Sequence, residues 1–193
     1  MTGASARTVV VVSGLPRSGT SLMMQMLQAG GLPLLCDGQR ASDEDNPQGY
    51  FEFEKVKTLK SDSSWMAEAA GHAVKIVTTH LYDLPAGYDY KIIFMERDLR
   101  EILLSQKKML RRRGASDEGP PDEAMSGHFR RHVGRLKEWL YKQPHIAVMF
   151  CRYRDIIEDP SPLCSQIAAF VGRPLNVPAM LGAVDEKLYR NRA

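Results

Sequence analysis

The stretch TVVVVSGLPRSGTSLMMQMLQAGG, from Thr8 to Gly31, constrains the fold more tightly than any other part of the chain. Its β-branched opening predicts a buried strand over about residues 8–13, and the apolar run from about Thr20 to Ala29 predicts a helix stopped by a glycine pair. Between them lies GLPRSGTS, Gly14 to Ser21. A strand, a tight glycine turn and a helix N-terminus point backbone N–H groups at one spot, which is how proteins cradle a phosphate-like anion. Gly14 and Gly19 permit the turn, and Ser18, Thr20 and Ser21 add hydroxyl donors. Arg17 adds a fixed charge whose donor fork matches phosphate or sulfate oxygens. The common ATP loop reads G-x-x-x-x-G-K-[ST], and Thr20 stands where its lysine belongs. The loop therefore predicts a phosphate-like ligand and argues against an ordinary kinase.

The rest of the chain alternates strand and helix patterns. AVKIVT, YKIIFM and HIAVMFCRY read as buried strands bounded by turn residues. RDLREILLSQKKMLRRRG is an amphipathic helix closing on a cationic turn before Gly114. After the linker-like GASDEGPPDE, a helix runs to about Lys142 with Phe129, Val133, Leu136 and Leu140 on one face. DPSPLCSQIAAFVG reads as the final helix, with Gly172 as its stop, and FEFEKVKTLKSDSSWMAEAAG as helical in two pieces. Residues 31–50 hold glycines, prolines and acids without a period, a loop of the length usually reserved for function. Such alternation predicts the α/β class: a P-loop-type three-layer fold with a mainly parallel central sheet, in one domain over residues 1–193. Ligands of these sheets bind beyond the carboxyl ends of the strands, where the glycine loop lies. The net charge of +3 is too small to announce a nucleic-acid partner, but it suits a small anion if focused at one site. Three cysteines (Cys36, Cys151 and Cys164), an odd number without metal-ligand spacing, read as reduced thiols of a cytoplasmic protein without a metal centre. The opening lacks a charged-then-apolar leader, and no apolar run is long enough to span a bilayer.

A second candidate site is ERDLREILLS. Arg97 falls where the strand YKIIFM ends, at the same sheet edge as the loop, and Ser105 lies two turns along the next helix. The pair would grip a second phosphate from two sides, or Arg97 would simply pair with Asp98 or Glu101 at a helix start. Taken together, GLPRSGTS and Arg97 followed eight residues later by Ser105 resemble the two cofactor signatures of the sulfotransferases. FCRYRDIIEDP with IAAFVG is similar to that family's strand, "Y-E-D-L…D-P" passage and closing helix, with Tyr153 at the tyrosine position near the nucleotide. THLYDLP, Thr79 to Pro85, is similar to the "K-T-H-L…L-P" segment of cytosolic members, and the terminal LYRNR is of a kind seen in bacterial ones. The resemblance runs from about Val9 to Arg192.

The resemblance implies a cytoplasmic enzyme that uses 3′-phosphoadenosine 5′-phosphosulfate (PAPS) and releases 3′,5′-adenosine bisphosphate. It implies that Arg17, Ser18, Gly19, Thr20 and Ser21 hold the 5′-phosphosulfate, that Arg97 and Ser105 hold the 3′-phosphate, and that Tyr153 lies beside the nucleotide. The acceptor is a hydroxyl or amine on a small molecule or peptide. Sulfuryl transfer moves less charge than phosphoryl transfer, so cationic donors without metal suffice and the missing loop lysine fits. Arg17 is the candidate for stabilising charge on the leaving oxygen. For the base there are His80, at the end of the strand AVKIVTT where cytosolic members carry their catalytic histidine, and Glu52 or Glu54, since protein-tyrosine members use a glutamate. Asp43, Glu44 and Asp45 would repel an acidic acceptor, while Tyr50, Phe51 and Phe53 would welcome an apolar or aromatic one. Thr78 stands in place of the cytosolic lysine, and the C-terminal R-K-G segment has no counterpart unless Arg111–Arg113 supply that charge. The chain is short for the family, which implies a minimal lid or one completed by a second subunit of a homodimer. Two other readings stay open: a P-loop kinase, with Asp98 as its metal-holding acid, and a non-catalytic nucleotide-binding protein of the same fold.

Overall fold

The computed structural model describes residues 7–43, 46, 48–112, 114 and 120–184. Glu44, Asp45, Arg113, residues 115–119 of the linker-like turn and the terminal LYRNR lie outside them.

Among the described residues, five parallel strands form the central sheet: β1 (Thr8–Gly14), β2 (Leu34–Leu35), β3 (Ala73–Lys75), β4 (Asp89–Glu96) and β5 (Ile146–Arg152), in the order β2-β3-β1-β4-β5. The α-helices that connect or cover them are α1 (Thr20–Ala29), α2 (Met66–Ala69), α3 (Leu99–Arg112), α4 (Asp122–Leu140), α5 (Tyr153–Glu158), α6 (Pro160–Val171) and α7 (Val177–Gly182). Because successive side chains of a strand face opposite ways, the valine run of β1 serves two cores at once. Val10 and Val12 pack with residues of α1, α5, α6 and α7, and Val9 and Val11 with Trp65, Met66, Leu136 and Leu140 on the other side. That division makes the three layers. After β1 the chain fills β2 and β3 on one side and then β4 and β5 on the other, so the crevice at the carboxyl end of β1 is a topological switch point, the usual ligand position.

Several segments differ from the sequence expectation. Leu34–Leu35 leaves the long loop to pair with Ala73 and Val74, forming a two-residue edge strand. The expected helical pair over residues 51–71 shrinks to a 3-10 turn (Glu54–Thr58) and the four-residue α2. Asp62 accepts the Ser64 amide at 2.9 Å and breaks the run, while Phe53 packs edge-on against Trp65. His80 is not at a strand end: β3 stops at Lys75, and Thr78–Asp83 forms a 3-10 turn. The helix stopped by Gly172 is not the last; α7 follows, capped by the Asn176 side chain on the Ala179 amide.

Candidate active site

The anion loop is shaped by what its glycines avoid. A Cβ on Gly14 (φ 151) would lie 2.4 Å from the Ser18 hydroxyl and 2.7 Å from the Met95 carbonyl, so only glycine lets the loop fold over β4. A Cβ on Gly19 (φ 102) would lie 2.4 Å from the Tyr153 ring. Gly19 is the N-cap of α1 and supplies no side chain to its first turn, whose amides face outward as donors. Arg17 itself has positive φ (74), a conformation that costs a non-glycine residue on the order of 1 kcal/mol. The surrounding contacts hold it there.

Those contacts join the two sequence motifs. Arg17 Nε donates to Ser105 Oγ at 2.8 Å, across 88 residues of sequence. Arg97 Nη1 donates to the Arg17 carbonyl at 3.2 Å, and its guanidinium stacks over the Tyr153 ring at 4.4 Å. Arg97 Nε also pairs with Glu101 at 2.7 Å, both side chains nearly buried, so the helix-start ion pair and the loop contact exist together. Burial raises the Tyr153 phenol, with Arg97 and Arg17 opposing that rise. Asp98 serves the helix instead, since its carboxylate accepts the Arg100 amide at 2.8 Å and caps α3. The Ser18 hydroxyl is buried without a hydrogen-bond partner among the described residues.

On the other side of the loop is a group that sequence reasoning missed. Lys75, level with Val12 on the neighbouring strand, reaches Ser21 Oγ at 3.0 Å and the Tyr50 carbonyl at 2.8 Å. Burial pushes this lysine down to about 8; the Glu52 carboxylate pulls it back up, and Arg40 and Arg17 add to the lowering. Asn46 also donates to Ser21 Oγ, at 2.8 Å. Around this point the long loop folds back as a strap. Arg40 pairs with Glu52 at 2.7 Å and lies over the Tyr50 ring, and the Tyr50 hydroxyl donates to Asp43. The signal for Lys75 was present in AVKIVT: a lysine inside a buried strand requires a partner. Asn46 gave none.

A family model described as "Sulfotransferase domain" matches residues 7–191, nearly the whole chain. The chain belongs to the sulfotransferase family. Two solved structures share the fold of this sulfotransferase. One is the "Sulfotransferase Domain from the Curacin Biosynthetic Pathway", with TM-score 0.55 and 16% identity over 93% of this chain and 78% of that one. The other is the "Sulfotransferase Domain from the Synechococcus PCC 7002 Olefin Synthase", with TM-score 0.54 and 14% identity over 96% and 80% of the two chains. No curated protein sequence matches it.

Arg17, Ser18, Gly19, Thr20, Ser21, Arg97, Ser105 and Tyr153 thus gather at one sheet edge, and Glu52 lies close enough to Lys75 to act on its charge. His80 sits in its 3-10 turn with Nδ1 3.8 Å from Asp83. Arg111 and Arg112 close α3 as exposed residues.

Proposed function

We propose that this sulfotransferase draws its sulfuryl group from 3′-phosphoadenosine 5′-phosphosulfate and passes it to a hydroxyl or amine of a small molecule or peptide. The observation that carries the reading is the direct hydrogen bond from Arg17 to Ser105, because it fuses the loop and the Arg97–Ser105 pair into one site for two anions. The donor set fits such a nucleotide: a helix N-terminus for one phosphate, Arg97 and Ser105 for the other, and the Tyr153 ring beside them. When bound, the nucleotide supplies an activated sulfuryl group and a phosphate leaving group. Arg17 and Lys75 lie on either side of the loop and stabilise the negative charge that grows on the departing oxygen. The acceptor oxygen or nitrogen forms the new bond to sulfur as the old sulfur–oxygen bond breaks, and its proton passes to a base. Glu52 is the better placed base, since it shares the charge cluster of Lys75 and Arg40, whereas the ionic partner of His80 is Asp83. The aromatic residues expected to welcome an acceptor are already packed: Tyr50 is buried with Arg40 over its ring, and Phe51 and Phe53 lie against the two cores.

Calorimetric titration with 3′,5′-adenosine bisphosphate and with ATP–Mg²⁺ tests the donor. The bisphosphate is expected to bind and ATP–Mg²⁺ to bind weakly or not at all; the reverse order returns the chain to the kinase reading.

A further inference from the structure

We propose that a pocket behind the loop, between α4 and the carboxyl end of β4, binds a small apolar anion such as an aryl carboxylate or sulfonate. The helix α4 seals only part of its own apolar stripe. Leu136 and Leu140 are fully buried against the sheet, but Phe129 and Val133 stay half-exposed and face a cavity of about 300 Å³. Leu15 of the loop and Ile102 of α3 complete its apolar wall. That volume is at the small end for ligand pockets and suits one or two fused rings.

The charges on the wall choose the sign of the occupant. Glu96 is the one carboxylate among the described residues of the wall and is paired with Lys137 at 2.5 Å. Arg97 is balanced by Glu101. Arg130, exposed at the rim, has no carboxylate within ion-pair distance among the described residues. An apolar body with one negative group meets both demands.

Lys75 and Asn46 reach Ser21 from the β3 side of the loop, whereas the pocket lies on the β4 side, with Leu15 and Ser18 of its wall on either side of Arg17. Its occupant touches Leu15, Ser18 and Arg97, which belong to the nucleotide grip. An anion drawing on Arg97 weakens the hold on a 3′-phosphate, and by reciprocity the nucleotide weakens the anion. That coupling rests on the nucleotide reading above; the pocket itself does not.

The probe is 1-naphthalenesulfonate, titrated into the full chain by fluorescence and calorimetry without nucleotide. One saturable site is expected. Arg130→Glu should weaken it by about tenfold or more, as loss of a charge-assisted contact does. Val133→Trp should abolish it by filling the cavity, while Arg135→Glu, on the same helix but off the pocket wall, should leave it unchanged. Unaltered affinity in Arg130→Glu, whose exposed position spares folding, overturns the proposal, as does equal weakening by Arg135→Glu. Saturating 3′,5′-adenosine bisphosphate should lower the probe's affinity to a plateau; displacement that grows without limit puts the probe in the nucleotide site and also overturns it. The variants are measured without nucleotide, so they decide the pocket even if the bisphosphate fails to bind.

Discussion

Arg97 and Arg17 divide the work of one site, and their substitution should separate binding from chemistry. Arg97 has its guanidinium between Glu101, the Arg17 carbonyl and the Tyr153 ring, a place from which a 3′-phosphate would take over one charge-assisted contact. Such contacts contribute about 1.5–3 kcal/mol, so Arg97→Ala should weaken 3′,5′-adenosine bisphosphate about tenfold or more in calorimetry and affect AMP much less. Equal losses for both nucleotides refute the assignment. Arg17→Ala should lower turnover at saturating donor by more than it weakens nucleotide binding, and Arg17→Lys should recover part of it, because only differential stabilisation speeds chemistry. A variant with weak binding and intact turnover would make Arg17 a clamp alone. For the base, Glu52→Gln should cost about 10²–10⁴ in rate with nucleotide affinity little changed, and His80→Ala much less. The opposite ranking in parallel assays hands the role to His80.

At the scale of elements, the site depends on a loop that is packed at its Tyr50–Phe53 end and pinned by hydrogen bonds elsewhere. The strap that begins after β2 is closed by the Asp37 amide on the Glu52 carbonyl and the Glu54 amide on Asp37, and is tied to the anion loop through Asn46 and through Lys75 on the Tyr50 carbonyl. Each tie is a hydrogen bond worth about 1 kcal/mol net, so the strap opens more easily than the sheet. Asn46→Ala removes one tie and leaves Lys75 as the donor to Ser21 Oγ. Hydrogen exchange by mass spectrometry should then quicken in peptides covering residues 37–54, with strands β1 and β4 unchanged. Exchange equal to that of the parent chain would show that Asn46 holds nothing in place.

For the whole molecule, Lys75 makes stability and ligand affinity respond to pH with opposite signs. Its folded-state value of about 8 lies below the free value of 10.5, so the folded chain releases this proton first as pH rises. Between those values the unfolded chain binds more protons, and stability must increase with pH across that window; below pH 8 the full cost of the buried charge is present. The stability of the parent relative to Lys75→Met, followed by denaturant titration, should therefore rise between about pH 8 and pH 10. Nucleotide binding runs the other way, since an anion prefers the charged lysine: affinity should fall as pH rises through about 8, and the fall should be absent in Lys75→Met. Glu52→Gln removes the charge that supports the ammonium and should move the midpoint lower. A midpoint that stays or climbs would place Glu52 away from Lys75.

What the sequence determined by itself was local and periodic. The valine run of β1, the glycine turn, the helix from Thr20 and the spacing from Arg97 to Ser105 were all readable, because alternation, turn chemistry and helical period are properties of neighbouring residues. The family followed from those motifs. Only the tertiary structure decided that Arg17 bonds directly to Ser105, that β3 ends at Lys75 and His80 lies in a 3-10 segment, and that Lys75 rather than a loop lysine brings the buried charge to Ser21. Each of these is a contact between strands or segments distant in sequence. It is fixed by parallel register and by the need to partner a buried charge, and neither leaves a period in the chain.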